Sequence, residues 1–118
     1  MKRIAPLFLF LLAACGSGPI PEQNPYAMRT DAAQAGGKLF RDHCAECHGS
    51  DAQGSKHAPP LRSAHVDARS DRALFAIITN GNLRRGMPSW SRIPEERRWQ
   101  IVTYLRAINR SQVPAGGK

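Results

Sequence analysis

The stretch Cys44-Ala45-Glu46-Cys47-His48 constrains this chain more than any other. It places two thiols three positions apart and an imidazole directly after the second. On a helix, side chains at that spacing share one face. Such a segment reads in four ways: a zinc site, a redox disulfide, a haem attachment site, or a small apolar patch on a helix. The sequence around it has to choose between them.

The N-terminus sets the compartment. Met1-Lys2-Arg3 is a basic start, and Ile4 to Ala14 is apolar. That run is shorter than the about twenty residues a transmembrane helix needs, and it suits the core of a signal peptide. Residues 1–14 are therefore read as a signal peptide. Leu12-Ala13-Ala14-Cys15 ends it. Small residues before a cysteine resemble the lipobox of bacterial lipoproteins, and that likeness implies lipid on Cys15; the alternative is an ordinary secretory signal with a stray cysteine. A lone thiol in an oxidising compartment is a liability, which also favours modification. Acyl chains add about 0.8 kcal/mol per buried CH₂, and more than one chain anchors stably. The expected location is a bacterial membrane, facing the periplasm. In a Gram-negative cell, Gly16 after the cysteine implies the outer membrane.

Cleavage before Cys15 removes Lys2 and Arg3 and takes the formal charge from +8 to +6. A basic balance favours acidic partners or a membrane surface. Arg84-Arg85 and Arg97-Arg98 are pairs, too short for a nucleic-acid arm, and aromatic residues are too few for a base-stacking ladder. Nucleic acid is therefore not an expected partner. Residues 15–30 carry Pro19, Pro21 and Pro25 with no apolar period. They read as an extended tether, at about 3.1 Å per residue where polyproline-like. Residues 31–110 are the folded domain and 111–118 a flexible tail. So small a domain commonly needs a staple or a cofactor to complete its core.

The domain reads as all-α, with three main helices. Asp31 is the expected N-cap of the first, with Gln34 placed as in a capping box. Gly36, Phe40, Cys44 and Cys47 then follow on one face. Ser70 caps a second helix to Thr79, with Leu74, Ile77 and Ile78 as its stripe and Asn80-Gly81 as its stop. Pro94 and Glu95-Glu96 open a third, with Ile101, Val102, Tyr104, Leu105 and Ile108 as its apolar face. Residues 49–67 and 81–93 are loops rich in Gly and Pro. No alternating strand pattern appears.

This frame bears on the motif. Structural zinc wants four protein ligands. The motif supplies three, two of them adjacent, and there is no second C-x-x-C. A thioredoxin-like disulfide wants a strand before it and a parallel sheet. Haem attachment has a direct logic: two thiols form thioethers with the haem vinyl groups, and the next residue reaches the iron.

The segments AGGKLFRDHCAECHG, APPL, NGNLRRGMPSW and WQIVTYLRAI together resemble a class I, monohaem cytochrome c domain, of the small bacterial kind also fused to haem–copper oxidases. The resemblance covers essentially all of residues 31–110. It implies a fold whose loops wrap one haem c, held covalently through Cys44 and Cys47, with His48 as one axial ligand. It places Gly36 and Phe40 where the first helix crosses the last, against Ile101 and Tyr104. Met87, in GMPSW, resembles the methionine that supplies the second ligand. Of the other methionines, Met1 lies in the signal and Met28 in the tether. His57 and His65 are rival ligands, each expected to be a loop histidine, and His43 is expected to face solvent. Pro59-Pro60-Leu61 resembles the P-x-L whose proline carbonyl takes the ring N–H of the ligating histidine. That points to Pro59, with Leu61 packed on the ring. Trp90, Arg84, Arg85 and Arg92 are candidates to meet the haem carboxylates, and Ile77, Ile78, Leu83 and Trp99 to wall the pocket.

The resulting expectation is a lipid-anchored carrier of single electrons between membrane or periplasmic redox proteins, not an enzyme. With His48 and Met87 on the iron, no position is open to a substrate. The alternatives are a haem sensor or gas binder with a displaceable Met87, and a structural lipoprotein whose motif is accidental.

Overall fold

The computed structural model describes residues 18–111. The signal peptide, Cys15 and residues 112–118 of the tail lie outside them. Three long helices dominate: α1 (Thr30–His43), α4 (Asp71–Asn80) and α5 (Glu95–Arg110). Two single turns, α2 (Ala45–His48) and α3 (Ala64–Asp67), and a 3₁₀ turn at Leu83–Arg85 sit in the connections. Among the described residues there is no β-strand; Asn82 and Met87 form one isolated antiparallel bridge. No helix among those residues is long and apolar enough to cross a membrane.

The fold is organised by α1 packing across α5. Gly36 makes the crossing possible. A Cβ there would collide with the Gln100 backbone carbonyl and stand 2.9 Å from the Tyr104 Cβ. Without one, the two backbones meet, and Phe40 closes on Tyr104 with ring centroids 5.3 Å apart. Phe40, Ile101 and Val102 are fully or almost fully buried behind that contact. α4 adds a second layer: Phe75 stacks on Trp99 at 4.1 Å, with Leu74 and Ile78 also buried. Burial of this kind contributes about 25 cal/mol per Å² of apolar surface and is the main favourable term.

The helix ends show where the sequence reading holds and where it shifts. Ser70 caps α4, its hydroxyl accepting from the Ala73 N–H at 3.1 Å, and Gly81 terminates it at φ 69°. Asp31 does not cap α1. Arg29 occupies that position without a side-chain cap, and Asp31 sits in the first turn, its carboxylate paired with the Arg29 guanidinium at 2.6 Å. That pairing, and the Ala32 N–H, hold the exposed Asp31 carboxyl below the usual range. Pro94 lies one position before the helix it was expected to enter. The first helix also breaks at Cys44, so the cysteine motif is a separate turn set on the end of α1.

The end of the supposed tether is part of this body. Asn24 is buried; its Nδ2 donates to the Thr103 hydroxyl at 2.9 Å, and that hydroxyl donates to the Tyr26 carbonyl at 3.2 Å. Tyr26 packs against the core cluster. Polar side chains, not an apolar period, fasten this segment to α5, so the hydrophobic pattern is silent about it.

Candidate functional site

The loops between the helices enclose a cavity of about 450 Å³. Its size is that of small-molecule and cofactor sites generally, about 300–1,000 Å³. Phe40, Leu61, Leu74, Ile78, Ile101 and Leu105 give it apolar walls, and Cys44, Cys47, His48 and Met87 all line it. The helix crossing that fixes the fold therefore forms one wall of the site.

His48 is the most constrained polar group there. It is 9% exposed, and its Nδ1 lies 2.9 Å from the Pro59 carbonyl oxygen. A carbonyl only accepts, so Nδ1 carries the proton and Nε2 keeps its lone pair, the form that ligates a metal. This is the pairing that the P-x-L likeness implied. The Pro59 carbonyl is itself held by a stapled loop. Leu61 and Arg62 both donate their backbone N–H to the Ala52 carbonyl, at 2.8 and 3.1 Å, and the Gly54 N–H donates to the His48 carbonyl at 2.8 Å. Further along, Asn109 of α5 donates to the Leu61 carbonyl at 2.9 Å and accepts from the Ser63 N–H at 3.0 Å.

The two thiols are not joined to each other. Burial, and then the Cys47 thiol beside it, push Cys44 up to about 11. A thiol so raised stays protonated at neutral pH, the opposite of the low-pKa thiolate that disulfide exchange uses. Among the described residues no cluster of three His, Cys, Asp or Glu side chains is assembled that could hold a metal ion. A zinc reading of the motif thus finds no further ligands there.

Met87 is half-buried in a short pinned turn. Asn82 and Met87 exchange two backbone hydrogen bonds, each 2.9 Å. Gly81 is needed under that turn: its φ is 69°, and a Cβ would stand 2.6 Å from the Met87 and Pro88 backbones. Ser89 Oγ donates to the Thr79 carbonyl at 2.6 Å, and the Trp90 N–H to that of Ile78 at 3.0 Å, tying the turn to α4.

Other expected residues divide. Trp90 and Ile77 line the cavity, with Trp90 between the His43 ring at 5.2 Å and the Arg92 guanidinium at 4.5 Å. His43 is exposed, as expected, yet lines the same rim. His57 and His65 also line the cavity and are exposed, unlike His48. Arg85 lines it; Arg84 and Arg92 do not. Leu83 is not a pocket wall: it is 79% exposed at the tip of the 3₁₀ turn. Trp99 is buried against Phe75 and does not line the cavity, its Nε1 without a partner. The sequence reading gave no part to Arg69 or Asn109, which line the cavity and anchor its wall respectively.

The residues present fit a haem. The cavity is apolar enough for a porphyrin face, both thiols line it, and a histidine with a free Nε2 lies next to them. The Arg62 Nε, adjacent to cavity-lining Leu61, is buried without a partner. A buried donor left unpaired costs about 1–3 kcal/mol, but Arg62 itself does not line the cavity.

Comparison with known proteins gives the same picture. Residues 31–105 match the domain family described as cytochrome C oxidase, cbb3-type, subunit III. Cytochrome c550 of Pseudomonas aeruginosa is 32% identical over 93 residues, covering 75% of this chain and 64% of that protein. The cbb3-type cytochrome c oxidase subunit CcoP of Azospirillum brasilense is 44% identical over 73 residues, 53% of this chain and 24% of that one. The cytochrome bc1 complex cytochrome c subunit of Mycobacterium tuberculosis is 28% identical over 116 residues, 87% of this chain and 39% of that one. The chain thus spans less than two thirds of the length of each. Among solved structures, cytochrome CL of Methylophaga aminisulfidivorans is similar, with TM-score 0.63 and 28% identity over 72% of this chain and 58% of that one.

Proposed function

The chain belongs to the c-type cytochromes, in the domain family described for subunit III of cbb3-type cytochrome c oxidases, and from that premise we propose that it carries single electrons between membrane or periplasmic redox proteins through a His/Met-ligated haem. The family's cofactor is one covalent haem c, which supplies a one-electron iron couple. In this reading Cys44 and Cys47 are the thioether sites, and His48 and Met87 the axial ligands. Pro59, Leu61 and Trp90 hold and cover the ring. The observation that carries it is His48: its ring proton is committed to the Pro59 carbonyl, and its Nε2 is left for iron beside two cavity-lining thiols. Met87 is favoured over His57 and His65 because it is less exposed and its turn is pinned on both sides.

The chain's own work is to keep the site from rearranging. The carbonyl under His48 and the bridge under Met87 hold both side chains in place, whichever charge the site carries. A thioether in the second position favours ferrous iron and raises the potential. With both ligands in place there is no opening for a substrate, so the reading is of a carrier, not an enzyme.

Attachment and partners extend the proposal. Lipid on Cys15 would hold the domain on the periplasmic side of a bacterial membrane, the outer one where Gram-negative sorting applies. Arg84 and Arg85 are exposed beside the Met87 turn, and so is the neighbouring Leu83. Such a surface suits acidic docking patches on redox partners, steered by charge. Relatives that are subunits of bc1 and cbb3 complexes support redox proteins as the partner class.

The test is ligand replacement. Met87→Ala should keep the covalent haem, seen as an unchanged pyridine haemochrome spectrum. It should also lose the iron–sulfur absorption at the red edge of the oxidised spectrum and lower the potential. An unchanged iron–sulfur band would move the second ligand elsewhere, and loss of covalent haem from the native chain would remove the haem reading altogether.

A further inference from the structure

The segment before α1 is fastened to the body at two places, and both lie on one side of it. Thr103 is 1% exposed, its hydroxyl bonded to the Asn24 Nδ2 and the Tyr26 carbonyl. On α5, Ile101 and Leu105 line the cavity. Thr103 stands two residues from each, about 160° round the helix. On α4, Leu74 and Ile77 line the cavity, and Arg72 pairs with Glu22. Arg72 stands about 140–160° round that helix from them. Both fastenings are therefore on the side of the domain away from the cavity. The segment is shaped as well as attached. Asn24 Oδ1 accepts from the Tyr26 N–H at 2.9 Å, and the N–H groups of Ala27 and Arg29 donate to the carbonyls of Asn24 and Tyr26 at 3.2 Å each.

That fastening shortens the linker to Cys15, which precedes Glu22 by seven positions and Asn24 by nine. Fully extended, those lengths span at most about 25 and 32 Å, whereas a tether running free to Asp31 would span about 55 Å. A folded domain of this size has a radius of about 15 Å, so its back and its front are about 45 Å apart around the surface. The longer tether reaches round that path and the shortened one does not. A linker that cannot span two sites brings the effective concentration of one at the other close to zero.

We propose that this strap makes the back of the α4–α5 pair the membrane face of the domain, apposed to the lipid headgroups that hold Cys15, and so turns the cavity mouth outward. The mouth is where cavity-lining Cys47, His57 and Arg85 are exposed. The proposal rests on lipid at Cys15 and on the haem reading, and it adds an orientation to them. It also sets the class of partner. A redox site presented from the aqueous side docks on the mouth, and a donor confined to the bilayer does not reach it.

The test uses the full, haem-loaded chain on phospholipid vesicles. Flotation with the vesicles and the haemochrome spectrum come first; a chain that does not float, or loads no haem, speaks against those readings and not against the strap. Reduction of the ferric haem is then followed with two donors, ascorbate in the buffer and a long-chain alkylated hydroquinone confined to the bilayer. Each bilayer-donor rate is taken relative to that with ascorbate, which reads the haem itself. The native chain should react only slowly with the bilayer donor. Inserting about twenty Gly and Ser residues after Gly18 leaves the strap intact and frees the domain to turn. It should raise the relative rate about tenfold, the scale of a relaxed orientational constraint. Glu22→Ala with Asn24→Ala, which releases the strap, should do the same. The proposal is overturned if either variant reacts with the bilayer donor no faster than the native chain.

Discussion

The crossing of α1 and α5 and the two loops that close the cavity are held by different physics. At the crossing, backbone meets backbone over Gly36, and Phe40, Ile101 and Val102 are sealed behind it. Nothing polar is needed. In the loops a few apolar anchors, Ala52, Val66 and Ile93, are joined by hydrogen bonds to carbonyls that do much of the fastening. Arg106 holds the α3–α4 corner, Asn109 the segment after Leu61, Ala52 the Pro59 turn, and Asn82 the Met87 turn. The rigid half supplies the wall and positions the cysteine turn. The fastened half supplies Pro59 and Met87. A cofactor site is thus built where packing alone would not hold the chain.

If that contrast is right, the largest loss should come from the crossing. Gly36→Val forces side-chain carbons into the Gln100 carbonyl. Overpacking costs about 1–3 kcal/mol and occasionally more. With backbone as the obstacle, we expect the upper end or beyond, seen as failure to accumulate folded, haem-loaded protein. A stable Gly36→Val chain with native melting would show that the helices can slide apart at little cost.

Next comes the polar half. Arg106→Met keeps the aliphatic stem and removes the guanidinium, leaving the carbonyls of Asp67 and Arg69 unpaired. The expected cost is about 1.5–3 kcal/mol in chemical denaturation, chiefly from losing the charge-assisted bond to Asp71, since water can reach the two exposed carbonyls. The loss should be accompanied by faster proteolysis of residues 64–71 and little change at α1. An equal loss of protection at α1 would erase the distinction between the halves.

Smaller still is the effect at the solvent face of the Met87 turn. Arg84→Glu with Arg85→Glu should slow association with an acidic redox partner about tenfold at low salt, while melting and potential stay near native. Raising the salt should slow the native reaction and shrink the difference, because exposed charges are screened over about 8 Å at physiological ionic strength. A rate flat in salt would take charge steering out of the account.

The smallest change is expected on the outer surface of α1. Lys38 and Asp42 form an exposed pair one turn apart at 2.7 Å. The pair holds the Asp42 carboxyl below the usual range, through the Lys38 hydrogen bond first. Exposed pairs are screened by solvent and contribute little, so Lys38→Ala should leave the melting temperature essentially unchanged. A larger loss would give α1 a polar dependence that the comparison denies it.

What could be read from sequence follows the same division. The three long helices were legible because apolar period, Ser70, Pro94 and Gly81 each act locally. That the motif, Pro59 and Met87 meet at one cavity was legible because a likeness spans nearly the whole domain. The one-turn helix at residues 64–67 was not, because four residues carry no period; its signal was Ser63, whose hydroxyl accepts from the Val66 N–H at 3.2 Å. Arg106 has no local signal in the sequence, because its role exists only after α5 meets the corner. Asn24 was assigned to a tether because one polar side chain, finding Thr103 across 79 residues of sequence, leaves no local trace. Leu83 was placed inside for being apolar and lies outside.

Whether the iron has an open position is read by adding carbon monoxide to the ferrous protein at neutral pH. A carrier with His48 and Met87 both held on the iron has no free position. The spectrum should therefore stay unchanged under saturating carbon monoxide, and a new binding spectrum should appear once Met87 is replaced by alanine. Stoichiometric binding by the native chain would contradict it, and would make Met87 a displaceable ligand and the protein a sensor or gas binder.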